Sequence, residues 1–250
     1  MNWSILRKIP NEPFLGEKQA KGTHLIAGEL AQAYWNLQVE FMALAQGFGC
    51  VPVILPTIEP AKIYTDKAGP EVAGQMYVFK DKGNRDLCLR PEATATCQLL
   101  AQNVYKTYSN LKLCYWQKCF RYEQPQAGRY REFTQFGVEV LNPKQDWTDE
   151  LISLAHCMIK IALGETVQST DAKGIVPEIN RGVKRGLGIY TDEGFEISIA
   201  QLGAQKQVAG GGPYENGQGF AIGIDRLLCV DGVVERWGKP EYVTHLTVKA

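Results

Sequence analysis

Arg121, Glu123, Arg129 and Arg131 stand around a Pro/Gly turn within residues 119–142, and the chain then runs into a segment with strand alternation. The alternation puts Phe133, Gln135, Gly137 and Glu139 on one face and Thr134, Phe136, Val138 and Val140 on the other. One face can join a core. The opposite face carries an amide and a carboxylate beneath a cluster of guanidinium groups. Such a surface suits a zwitterion joined to an anion, for example an amino acid beside a nucleotide phosphate. A hairpin with merely solvated arginines has no need of Gln and Glu aligned with a facing Gly.

Other residues extend this chemistry. In Leu89-Arg90-Pro91-Glu92-Ala93-Thr94-Ala95 a helix is predicted to begin, with Pro91 and Glu92 in its first turn. Glu92 there either complements the helix dipole or, with the Thr94 hydroxyl, grips an ammonium group. Arg185, followed by Gly186-Leu187-Gly188, lies where backbone can approach a ligand closely, and it is a candidate clamp on a developing phosphate charge. Residues 209–215 read as a glycine-rich turn that ends on Tyr214. Residues 219–228 read as an apolar strand turning into a helix, with Asp225 and Arg226 at the junction. Arg226 there suits phosphate, and its alternative role is a structural ion pair with Asp225.

The elements that must hold these residues are partly legible. Leu30, Tyr34, Leu37, Phe41 and Leu44 recur at helical spacing up to a stop at Gly47, and an extended apolar run follows over 50–58. Residues 75–90 read as a hairpin turning at Asp81-Lys82-Gly83-Asn84. A helix is predicted over 149–163, capped by Asp146 or Thr148 and closed by Gly164. A strand is predicted over 195–199. The polar stretch 164–182 carries no clear assignment.

Composition narrows the function classes. The 250 residues, 45% hydrophobic, are enough for one sizeable core, and the whole of 1–250 reads as a single domain. Lys+Arg and Asp+Glu both number 27, so the chain lacks the field of a general polyanion binder. Lys112, Lys118, Arg121, Arg129 and Arg131 against Glu123 make a local basic patch. The seven cysteines (50, 88, 97, 114, 119, 157 and 229) include no CxxC pair and read as reduced core thiols. His24, His156 and His245 show no metal-ligand spacing. No stretch suits a membrane span and the opening residues lack a signal-peptide pattern, so a cytoplasmic location is expected.

Arg121-Tyr-Glu, the Gly128 turn, Arg129-Tyr-Arg-Glu-Phe and Gly137-Val-Glu together resemble the second motif of class II aminoacyl-tRNA synthetases, in the wording of the histidyl enzymes. The helix feeding 50–58 resembles the first motif and residues 219–228 the third, so the likeness spans roughly residues 20–230. It implies an α+β fold, a mainly antiparallel sheet flanked by helices. It also implies a homodimer joined through the first motif, and ATP-dependent formation of an aminoacyl-adenylate with Mg²⁺ on the phosphates. On that pattern Arg121 and Arg185 meet the α-phosphate, Arg226 the γ-phosphate side and Glu123 the adenine edge, with Arg129 near the phosphates. Glu92, Thr94 and Gln135 hold the ammonium group. Glu139 and Tyr190, with Tyr214 nearby, face the side chain, which makes histidine the leading amino acid and a tRNA acceptor end one acceptor.

Three departures mark the chain. Gly188 stands where the family has an acid, Ile189 where it has an aromatic, and Pro213 where it has an arginine. Only 24 residues (227–250) follow Arg226, so the anticodon-binding domain is expected to be missing, and the segment between the second and third motifs is short, so most of the helical insertion is expected to be missing too. The resemblance therefore also admits a non-catalytic relative, the histidine-binding regulatory subunit of ATP phosphoribosyltransferase, or a dimeric scaffold with neither activity.

Overall fold

The computed structural model describes residues 19–66, 72–164, 175–183, 190–191 and 193–239. Apolar residues at helical spacing form the buried side of α1 (Gly28–Gly47), where Ala33, Tyr34, Leu37, Phe41 and Ala45 enter the core. Gly49, at φ 89°, then turns the chain into the short strand β1 (Val51–Pro52). Strands β2 (Ile58–Pro60), β3 (Tyr77–Lys80) and β4 (Asp86–Leu89) make a separate three-stranded sheet in the order β2-β4-β3, with α2 (Lys62–Thr65) beside it. The predicted 75–90 hairpin is β3 and β4.

Seven strands build the main sheet: β1, β5 (Leu111–Phe120), β6 (Glu132–Leu141), β7 (Glu178–Val183), β8 (Gly194–Ser198), β9 (Gln207–Tyr214) and β10 (Gly217–Gly223). Their order is β1-β5-β6-β10-β9-β8-β7, and only the β1–β5 pair is parallel. This is the expected α+β arrangement.

Strand parity sorts the two faces. Phe136, Val138 and Val140 of β6 join Phe195, Ile197, Phe220 and Ile222 under α1 and α4 (Thr148–Leu163) in the main core. Asp146 accepts hydrogen bonds from the Thr148 N–H and hydroxyl at the start of α4, and Gly164 closes it at φ 88°. On the other face, α3 (Thr94–Gln102) packs Ala93, Cys97 and Ala101 against Leu113, Tyr115 and Leu141. It covers only part of that face, and the rest is open. After β10 come α5 (Ile224–Leu228) and α6 (Val233–Trp237).

The glycine-rich stretch 209–215 is not a turn, as its sequence predicts, but the body of β9. The glycines serve close approach between strands. A Cβ on Gly211 would lie 2.2 Å from the Gly219 carbonyl oxygen and 2.7 Å from the Cβ of Phe220. The turn itself comes later, where Asn216 adopts φ 64°. The helix expected to include Pro91 and Glu92 begins only at Thr94. Five of the cysteines are buried as expected, whereas Cys157 is half-buried and Cys229 is exposed at the surface. Among the described residues no helix is long and apolar enough to cross a membrane.

Candidate active site

A cavity of about 440 Å³ opens over the uncovered face of the main sheet. Its floor is small by design of the strand register: Gly223 of β10 lies opposite Gln135 of β6, and Ala221 lies between Gly137 and Gly210. One wall holds Glu92 and Thr94 at the start of α3 with Phe133 and Gln135 of β6. Over the mouth stand Arg121, Glu123 and Arg129 from the β5–β6 connection and Arg226 from α5. Tyr190, Glu196, Gln205 and Gln207 complete the far side.

Three of the guanidinium groups are held in place by backbone carbonyls and by one carboxylate. Arg121 donates from Nε to the Pro91 carbonyl at 2.9 Å and lies over the Phe133 ring, its Cζ 5.3 Å from the centroid. Glu123 sits between two arginines, 4.0 Å from Arg121 Nη1 and 3.5 Å from Arg129 Nη1. Arg226 donates from Nη1 to the Ala127 carbonyl at 2.8 Å. Its Nε and Nη2 are buried without a partner among the described residues, as is Arg129 Nε. Burial, and then the charge of Arg129, lower the Arg226 pKa. Two neighbouring cations with buried, unused donors have the chemistry to accept a multiply charged anion.

Asp225 is not the partner of Arg226. It accepts the Tyr34 hydroxyl at 2.5 Å and the Thr134 N–H at 2.6 Å, with His24 Nε2 3.5 Å away. Burial raises its pKa, and the hydrogen bonds from Thr134 and Tyr34 oppose that rise. With Asp225 occupied in this way, the alternative of a structural ion pair for Arg226 is not realised.

The other predicted residues divide into two layers. Glu92 lines the cavity, and its two carboxylate oxygens accept the N–H groups of Thr94 and Ala95 at 2.6 and 2.9 Å. It therefore caps α3 while facing the site, so its two readings are not exclusive. Burial raises its carboxyl pKa, against the pull of the Ala95 N–H and the Arg121 charge. Gln135 Oε1 accepts a hydrogen bond from Cys119 Sγ at 3.3 Å. Tyr190 pairs as an isolated bridge with Tyr214 and lines the cavity. Glu139 and Tyr214 lie in the layer beneath it, at 0% and 4% exposure. The hydroxyls of Thr94, Tyr115 and Tyr214 donate to Glu139 at 3.0, 3.2 and 2.9 Å. Burial dominates those bonds and raises its carboxyl pKa to about 8. Arg185 and residues 186–189 lie outside the described residues, as does His245.

Three cations expected in the basic patch do not line the cavity, and the first, Arg131, lies over the Tyr122 ring. Lys112 donates to the Phe48 carbonyl and lies over the Phe48 and Trp147 rings. Lys118 pairs with Glu132. Both belong to the face of β5 that pairs with Thr134 and Val140, away from the cavity. Sequence reasoning also missed Gln75, Tyr130, Glu196 and Gln207 in the lining. It gave no role to Arg90, which is wholly buried and donates to the carbonyls of Leu55, Pro56 and Lys118 and to Gln117 Oε1. That side chain fixes the run after β1 to β5 directly behind the site.

The model of the histidyl-tRNA synthetase family matches residues 26–172, across α1, the small sheet, β5, β6 and α4. The chain belongs to the histidyl-tRNA synthetase family. A histidine–tRNA ligase of Methanosarcina acetivorans is 29% identical over an alignment that covers 74% of this chain and 68% of the relative. The apo histidyl-tRNA synthetase of Staphylococcus aureus superposes with a TM-score of 0.66 at 25% identity, over 88% of this chain and 71% of that one. A Bacillus halodurans protein titled ATP phosphoribosyltransferase regulatory subunit/histidyl-tRNA synthetase superposes with a TM-score of 0.70 over 89% and 85%. At 16% identity this last likeness speaks for the fold alone.

Proposed function

We propose that the protein activates an amino acid, histidine first, as an aminoacyl-adenylate at the expense of ATP. The observation that carries this reading is the convergence of Arg121, Arg129 and Arg226, with buried unused donors on two of them, at a cavity also lined by Glu92, Thr94 and Gln135. A triphosphate would satisfy the donors and an ammonium group would meet the acceptors.

In the proposed reaction a carboxylate oxygen of the amino acid attacks the α-phosphorus of ATP. The bond to the bridging oxygen breaks, and pyrophosphate leaves. Arg121 and Arg185 would take up charge on the α-phosphate, while Arg129 and Arg226 hold the departing end. Glu123 would turn toward the adenine edge once the triphosphate takes its arginines. Glu92, Thr94 and Gln135 would fix the ammonium group, Tyr190 would meet the side chain, and Glu139 with Tyr214 would form the polar underside of that pocket.

Among the described residues no group of three or more His, Cys, Asp or Glu side chains could cage a metal. Mg²⁺ fits such a site, because it is held by one or two carboxylates together with phosphate oxygens. Glu196, on the cavity wall, would be the carboxylate that holds it. Mg²⁺ there would neutralise triphosphate charge. Transfer of the aminoacyl group to a tRNA acceptor end is the proposed second step. Trp35, Val39, Val51, Ile54 and Ile58 are large exposed apolar residues of α1 and the run after it, 92% exposed at Ile54, and they support a homodimer formed through that surface.

A second reading, histidine binding without chemistry, draws on Gly188 and Ile189 in place of the family's acid and aromatic. Single-turnover release of pyrophosphate separates the two. With ATP, Mg²⁺ and histidine the wild type should release it, and Arg185→Ala should slow release by roughly 10²- to 10³-fold while leaving the melting temperature unchanged. Histidine binding without release would favour the regulatory reading.

A further inference from the structure

The segment ahead of α1 packs beside the site, against the β5–β6 connection and Asp225 of α5, and the proposed reaction does not use it. Thr23 closes a turn onto the Ala20 carbonyl through its N–H and its hydroxyl, with Gly22 at φ 82°. The Gly22 carbonyl accepts the Arg131 N–H at 2.7 Å, and a Cβ on Gly22 would lie 2.6 Å from Arg131 Cγ. Arg131 in turn donates from Nε to the Glu123 carbonyl at 3.1 Å. Two residues after Gly22, the His24 ring stacks on Tyr130 with centroids 3.9 Å apart, and its Nε2 lies 3.5 Å from Asp225 Oδ1.

Tyr130 follows Arg129, and Asp225 precedes Arg226. The two guanidinium groups repel each other before an anion arrives, and among the described residues the Ala127 carbonyl accepts the one hydrogen bond between their elements. We infer that His24 is a positioning residue: stacked on Tyr130 and facing Asp225, it fastens the loop carrying Arg129 to the helix carrying Arg226 and holds both guanidinium groups at the spacing one triphosphate needs. The inference rests on the nucleotide-site reading given above.

The charged groups around the imidazole come from three elements: Asp225 of α5, Lys118 of β5 and Glu132 of β6, with the Tyr130 phenol on its face. Burial lowers the His24 pKa, and Asp225 opposes that. A protonated ring attracts both Asp225 and the Tyr130 face, so the tie tightens as pH falls below the ordinary histidine range.

Calorimetric titration of the full chain with MgATP, and separately with histidine, tests this. At pH 5, His24→Ala should raise the Kd for ATP roughly three- to tenfold. The Kd for histidine should stay within about twofold, and His24→Arg, which keeps a cation between Tyr130 and Asp225, should recover ATP binding to about the same margin. The variant-to-wild-type ratio for ATP should shrink toward pH 8. Thermal melts establish that each variant is folded. Equal ATP affinity at every pH, equal losses for ATP and histidine, or no recovery in His24→Arg would each overturn the tie. A wild type that binds no ATP would instead overturn the nucleotide-site reading, and the tie with it.

Discussion

Arg226 reaches 99 residues back along the chain to donate a hydrogen bond to the Ala127 carbonyl, joining α5 to the β5–β6 connection. Gly128 makes that approach possible, because a Cβ there would lie 3.0 Å from Arg226 Cα. Two segments distant in sequence thus share one charged surface, and the remaining donors of Arg226 point to what it is for.

Arg226→Ala is expected to raise the KM for ATP and to lower kcat/KM for adenylate formation by about 10²-fold or more. Folding stability should change by no more than about 1 kcal/mol, since one hydrogen bond to protein is lost. Steady-state kinetics beside a urea titration check both parts. A large stability loss with unchanged kinetics would mark Arg226 as structural.

Glu139 gives a pH signature. Its carboxyl pKa is raised in the folded protein to about 8 from an ordinary value of 4.5, so the native state holds a proton that the unfolded chain releases. The contribution is fully present below about 4.5 and is lost as pH rises through about 8. Wild type should therefore lose melting temperature relative to Glu139→Gln between pH 5 and pH 8.5. Parallel melting curves across that range would contradict the burial argument.

Two close-packed glycines of the main sheet make a packing prediction. A Cβ on Gly137 would lie 2.2 Å from the Tyr115 ring, and one on Gly219 would lie 1.8 Å from Glu139 Oε2. Gly137→Ala and Gly219→Ala should each cost about 1–3 kcal/mol or more in chemical denaturation, because the neighbours are themselves buried. Gly47→Ala, with no atom within 4 Å of its Cβ, should be neutral or slightly stabilising.

Strand period made the β6 face legible: Phe133 and Gln135 line the cavity because alternation requires it, and Phe136 and Val138 enter the core for the same reason. The same parity would have removed Lys112 and Lys118 from the basic patch, since even-numbered β5 residues share the core face. Three consecutive glycines in β9 looked like a turn, because local sequence does not reveal how near a neighbouring strand comes. Tyr130 and Glu196 lay within recognisable segments, but nothing local gave either a place at the site, and Gln207 carried no local signal. Sheet order and loop path bring them to the cavity. Arg90 belonged to a stretch read for Glu92 and Thr94, and its role appears only once Leu55 and Lys118 are seen beside it.

Amino-acid-dependent exchange of labelled pyrophosphate into ATP, run across all twenty amino acids, tests the central claim most directly. The account predicts exchange with histidine at a rate well above the panel. Absence of exchange with every amino acid, from protein that binds histidine tightly, would contradict it.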